Sequence, residues 1–222
     1  MVVIGSTPIA LGVARGLSAR GATVATIGRE SGAFDSEASV NAALAGADAS
    51  LGGIDQVVHA WVPDALLVDA ELMTIDEDAW AAGCERGLEA AWWVARQAIP
   101  PLVRSKGSLV FLVPTIGMAG AAGFTMLATV AEGIRVLAKG CGRQLGAEGV
   151  TVNTIATAPH LWVGAEDAAV LTRSTTLSTP AFGGPGDAAT DIAPIVAMLA
   201  SPDAHFLTAA TLATDGGTWM GL

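Results

Sequence analysis

Residues 107–146 read GSLVFLVPTIGMAGAAGFTMLATVAEGIRVLAKGCGRQLG. The run Leu109–Val113 is continuously apolar and bounded by Gly107 and Pro114, as in a strand buried on both faces. A Gly/Ala-rich loop follows. Beyond it, Leu127, Val130, Ala131, Ile134, Leu137, Ala138, Cys141 and Leu145 recur at the spacing of one helix face. The next residues, GVTVNTIA from Gly149, alternate and are β-branched, which reads as a second strand. Strand, loop, helix, strand with no hairpin signal predicts a βαβ crossover and therefore a parallel sheet.

The flanking sequence repeats this grammar. MVVIGSTPIALGVARGLSARGATVATIG, residues 1–28, reads strand, turn, amphipathic helix, Gly-Ala turn, strand. GGIDQVVHAWVPD from Gly52 predicts a strand at Ile54–Val58. Asp76 to Pro101 predicts one long helix, with acids at its start and Pro-Pro at its stop. No repeat, low-complexity tract or linker interrupts the chain. Residues 1–222 are expected to form one α/β domain, a doubly wound parallel sheet with helices on both faces.

Composition narrows the partners. The formal net charge of −10 argues against nucleic acid and against anionic membrane, both of which need a basic face. The charge-free stretch 107–131 changes period midway from strand to helix and contains Pro114 and several glycines, so no membrane span is expected. Met1 leads directly into a strand without a basic segment, so no signal peptide is expected and the cytoplasm is the expected compartment. Cys84 and Cys141 lack metal or redox spacing and read as small buried hydrophobes. Hydrophobic residues make up 52% and charged ones 14%, with mean hydropathy +0.54, which favours an oligomer that covers part of the surface.

The central segment resembles that of the short-chain dehydrogenase/reductase family, and GRQLGAEGVTVNTIA matches it closely. The C-terminal PGDAATDIAPIVAMLASPDAHFLTAATLATDGGTWMGL is similar as well, so the resemblance spans essentially the whole chain and implies a Rossmann-like fold. Counting back from Asn153, the family's catalytic tyrosine falls on Leu127 and its lysine on Ala131. Its serine falls on Pro114, or beside it at Thr115, and its asparagine on Gly87. Realignment cannot restore the general acid, because the sequence has no tyrosine and its only lysines are Lys106 and Lys139.

The cofactor positions depart from the family pattern in the same way. Of the family's glycine-rich loop only Gly5 remains, and Ile9 and Leu11 stand where glycines would let the backbone approach a pyrophosphate. His59-Ala60-Trp61-Val62 replaces Asn-Asn-Ala-Gly, with bulk expected where a dinucleotide needs space. The adenine side, around residues 30–40, is shortened, and neither Ala33 nor Asp35 is assigned the family aspartate's role. Arg29 is a candidate for a 2′-phosphate but reads more simply as a solvated residue. Residues 160–185 occupy the place of the family's substrate lid.

The resemblance therefore implies no bound cofactor and no catalytic residue. It points to a non-catalytic subunit that pairs with an active homologue in a heterodimer or heterotetramer, or otherwise with itself. Two other readings stay open: cofactor-independent acid/base chemistry using His59, Glu132, Asp64 or Glu166, and a small-ligand scaffold. Trp92 and Trp93 are adjacent and cannot share one helix face. Trp93, with Gly133 and Gly140 on the facing helix, is the expected interface.

Overall fold

In the computed structural model, residues 1–28, 32–163, 180–184 and 186–220 are described. Six strands, β1 (Val2–Ile4), β2 (Ala25–Ile27), β3 (Gln56–His59), β4 (Ser108–Pro114), β5 (Thr151–Thr157) and β6 (Thr211–Thr214), form one parallel sheet in the order β2-β1-β3-β4-β5-β6. Every residue of β1, β3 and β4 is buried, so β1 and Leu109–Val113 of β4 are continuously apolar instead of alternating, while β3 also buries the polar Gln56 and His59 at its two ends.

Helices α1 (Pro8–Ala19) and α7 (Ala193–Leu199) pack together on one face of the sheet. The other face carries α2 (Glu37–Leu51), α4 (Arg86–Ser105) and α6 (Thr125–Leu145). β1 pairs with β2 on one side and β3 on the other, so the order of winding reverses there. Such a switch point opens a crevice at the carboxyl ends of the strands. Among the described residues no strand lies beyond β2. After Ile27 the chain passes through a short turn at 32–35 into α2, whose N-cap Ser36 accepts a hydrogen bond from the Ser39 amide.

Polar side chains in the segments that carry the family resemblance act as structural clamps. Asn153, buried in β5, donates to the Leu207 carbonyl (2.7 Å) and accepts from the Ala210 amide (3.1 Å), fixing the approach to β6. The Asp215 carboxylate accepts from the amides of Gly217, Thr218 and Trp219 and closes the turn after β6. Gln56 ties β3 to α7 by donating to the Val196 carbonyl at 2.9 Å.

Three expectations are corrected. β3 begins at Gln56 instead of Ile54. The helix expected from Asp76 runs without interruption but is not α throughout: Asp76 caps a first turn, α3 (Glu77–Trp80), a wider π turn follows at Ala81–Glu85, and the α geometry resumes in α4. Nor do the two prolines stop α4. The helix continues to Ser105, where burial of Pro101 and Leu102 outweighs the two missing amide donors and Ser105 Oγ donates to the Ile54 carbonyl (2.8 Å). Left-handed Lys106 ends it, donating its amide to the carbonyls of Leu102 and Val103. Among the described residues no helix is long and apolar enough to cross a membrane.

Candidate functional site

The crevice begins at the turn after β1. Gly5 adopts φ 138°, and a Cβ there would meet the Ala60 carbonyl oxygen at 2.5 Å, so only glycine lets β1 and the end of β3 approach so closely. Thr7 donates from Oγ1 to that same carbonyl (2.9 Å) and accepts from the Ala10 amide, while Pro8 fills the first helical position. The start of α1 is therefore capped from within the chain, with one amide engaged and another absent. Ile9 is wholly buried and lines neither of the two cavities described next, whereas Leu11 is about half exposed. Ile9 is thus a core residue, not an obstruction of the crevice.

The bulk in the crevice comes from elsewhere. Trp61, just past β3, stacks on Phe34 from the turn after β2, with ring centroids 4.3 Å apart and planes inclined by 12°; both side chains are buried. The Arg86 guanidinium holds that turn by donating to the carbonyls of Phe34 (3.5 Å) and Asp35 (3.3 Å) while lying over the Trp93 ring. Two cavities flank the stack, of 290 Å³ beside Phe34, Asp35 and Arg86 and of 360 Å³ beside Ser6, Thr7 and Trp162; Trp61 and Asp64 line both.

His59 sits at the end of β3 and is completely buried, 5.5 Å from the Phe111 ring. Among the described residues neither ring nitrogen has a hydrogen-bond partner. Burial away from water lowers its pKa to about 4, so the ring is neutral and sealed from any substrate. Glu132 is held by the Arg135 guanidinium, with bonds of 2.9 and 2.8 Å from Nε, and this pairing raises the Arg135 pKa. Asp64 is exposed between the two cavities, and Glu166, Arg29 and most of 160–185 lie outside the described residues. Burial raises the pKa of both Cys84 and Cys141, which disfavours a thiolate nucleophile. Among the described residues no group of three or more His, Cys, Asp or Glu is placed to hold a metal.

The positions aligned with the family's catalytic groups lie on β4, α6 and α4 and are all buried. Pro114 ends β4, and next to it Thr115 donates both its amide and its hydroxyl to the Thr157 carbonyl. Leu127 and Ala131 are each 2% exposed on α6. The short helix α5 (Ile116–Ala119) presses on Ala131 through Gly117, where a Cβ would lie 2.9 Å from the Ala131 methyl. Gly87 makes room for Leu66, which a 3₁₀ turn (Asp64–Leu67) drives between α4 and α6: a Cβ at 87 would meet Val130 at 3.1 Å and Leu66 and Pro63 at 3.4 Å. Gly83, one turn earlier, leaves space for the same leucine.

Phe34, Leu66 and Arg86 were not anticipated from sequence. The i,i+4 pair Gly83 and Gly87 was the one available signal, since two glycines on one helix face mark a close approach.

The expected interface residues behave unequally. Trp93 faces inward beneath Arg86, while Trp92 is 46% exposed with Arg96 over its ring. Gly133 packs against Leu88 of its own chain, and Gly140 is exposed with open space where a side chain would stand.

A protein-family model described as Enoyl-(Acyl carrier protein) reductase matches residues 31–218. The chain is similar to the 3-oxoacyl-(acyl-carrier-protein) reductase of Vibrio cholerae, 28% identical over 186 residues, covering 82% of this chain and 73% of that protein. It is also similar to the enzyme of the same name from Salmonella typhimurium, 26% identical over 187 residues, with 82% and 74% covered. Among solved structures, a 3-ketoacyl-(acyl-carrier-protein) reductase from Brucella melitensis complexed with NADH superposes with a TM-score of 0.82 at 16% identity, covering 99% of this chain and 98% of that one.

Proposed function

The chain belongs to the short-chain dehydrogenase/reductase family of NAD(P)-dependent oxidoreductases, and from that premise we propose that it is a non-catalytic member, serving as a subunit that pairs with an active homologue in a cytoplasmic hetero-oligomer. The observation that carries this reading is the complete absence of tyrosine from the sequence. Tyrosine has the side chain that the family uses as general acid toward a carbonyl, and no rearrangement of this chain supplies one.

The lysines cannot substitute for it. Lys106 precedes β4, at the end of the sheet opposite the crevice, and Lys139 is exposed in the distal half of α6. The family's nicotinamide dinucleotide does not fit this crevice either: the Phe34–Trp61 stack fills it between two separate cavities, and the start of α1 is capped by Thr7 and Pro8. The relatives named above are reductases, and in this chain Asn153 and Asp215 clamp the frame around β5 and β6.

The test is to co-express this chain, tagged, with an untagged homologue from the same genome that retains Tyr-x-x-x-Lys. The expected result is co-purification in a fixed ratio, with reductase activity confined to preparations containing the homologue. Micromolar binding of NADH or NADPH to the isolated chain by titration calorimetry, or cofactor-dependent ketone reduction by it, would overturn the proposal.

A further inference from the structure

The segment from Asp64 to Glu85 carries seven of the chain's 21 acids and no lysine, arginine or histidine. The same segment leaves Leu72 and Met73 on the surface, 62% and 91% exposed, although Leu66 earlier in it is buried. Leu72, Ile75 and Trp80 line an open depression of 540 Å³ whose charged lining residues are Asp76, Glu77, Asp78 and Glu85. The rim is ordered by Asp76, whose carboxylate caps α3 by accepting from the Ala79 amide at 2.8 Å. Among the described residues none of these four carboxylates makes an ion pair. The nearest cation in sequence, Arg86, is turned away toward the carbonyls of Phe34 and Asp35.

We propose that this depression docks a basic amphipathic polypeptide segment of another protein. Aliphatic side chains of that segment seat against Leu72, Ile75 and Trp80, and its flanking lysines or arginines meet the four carboxylates. Apolar contact around a tryptophan supplies the anchoring energy, while complementary charge on the rim steers the encounter and selects the partner. Nucleic acid and anionic lipid are repelled by the rim. A second copy docking through this face by two-fold symmetry would set the four carboxylates against themselves. The proposal does not rest on the non-catalytic reading, because the groove lies outside the crevice and would serve a working reductase equally.

The probe is a labelled synthetic helical peptide of leucine and lysine, compared with the same peptide carrying glutamate for lysine, titrated against the full chain by fluorescence anisotropy. The lysine peptide is expected to bind, more weakly as salt rises, and the glutamate peptide not to bind. Asp78→Lys with Glu85→Lys, and separately Trp80→Ala, should each weaken binding by about tenfold or more. Asp203→Lys with Glu148→Lys makes the same charge change at exposed sites away from the groove and should leave the affinity within about twofold. Far-UV circular dichroism verifies that each variant is folded. Equal loss in the Asp203/Glu148 control would reduce the binding to non-specific charge and overturn the proposal. So would wild-type affinity in the Asp78/Glu85 variant, Trp80-dependent doubling of mass by light scattering, or Trp80-dependent binding to phosphatidylcholine vesicles.

Discussion

Replacing Gly87 by asparagine puts back the residue type that the family resemblance assigns to this position, and it should damage the protein. A Cβ at 87 lies 3.1 Å from Val130 Cγ1 and 3.4 Å from Leu66 Cδ1 and Pro63 Cδ, so a methyl group fits only if Val130 yields slightly. Asparagine adds an amide beyond that methyl. Its volume overpacks a filled site at a cost of about 1–3 kcal/mol. The amide, shut away from water without a partner, adds about 1–3 kcal/mol. Replacing a helical glycine returns only a few tenths of a kcal/mol, since asparagine is itself a poor helix former. The net loss is about 2–5 kcal/mol, which for a chain of this length lowers Tm by about 6–15 °C. Gly87→Ala serves as the control: its helix gain of about 1 kcal/mol roughly offsets the tight contact with Val130. Urea unfolding followed by tryptophan fluorescence would measure both. Equal midpoints for the two variants would mean that the site has room for a polar group, and the picture of a catalytic position closed by Leu66 would be wrong.

Further predictions concern His59 and the outer helix surface. With its pKa lowered to about 4 in the fold and an ordinary value near 6.5 when unfolded, His59 takes up a proton only in the unfolded chain between those pH values. Stability should therefore fall as pH drops through that window, by up to about 3 kcal/mol, and level off for this group below it. His59→Leu should flatten that part of the profile, and an unchanged slope in urea midpoints between pH 7 and pH 5 would refute the assignment. Gly140→Glu should leave Tm nearly unchanged, because open space surrounds that position. If α6 carries the contact with a partner, the same change should dissociate the complex by light scattering; retention of native mass would remove this face from the interface.

How much was legible beforehand differs from residue to residue. The apolar runs at Val2–Ile4 and Leu109–Val113, the 3.6-residue rhythm after Leu127 and the glycine after β1 were sufficient to place the parallel sheet and its crossovers, because they report burial and local backbone conformation. The absence of tyrosine is a property of the sequence that no folding can alter. What the sequence could not disclose is which buried groups meet. Phe34 and Trp61 are 27 residues apart and meet only in the folded chain, where Arg86, on a third element, donates to the turn that carries Phe34. Leu66 reaches Gly83 and Gly87 only because a 3₁₀ turn folds it back between two helices. The same limit applies to Trp92 and Trp93, which are alike in sequence. Their roles diverge because consecutive helical residues point about 100° apart, and only the packing of α4 against the sheet determines which of them faces inward. Periodicity records that a side chain leaves water; its partners are set by contacts between distant elements, and those exist only in the folded chain.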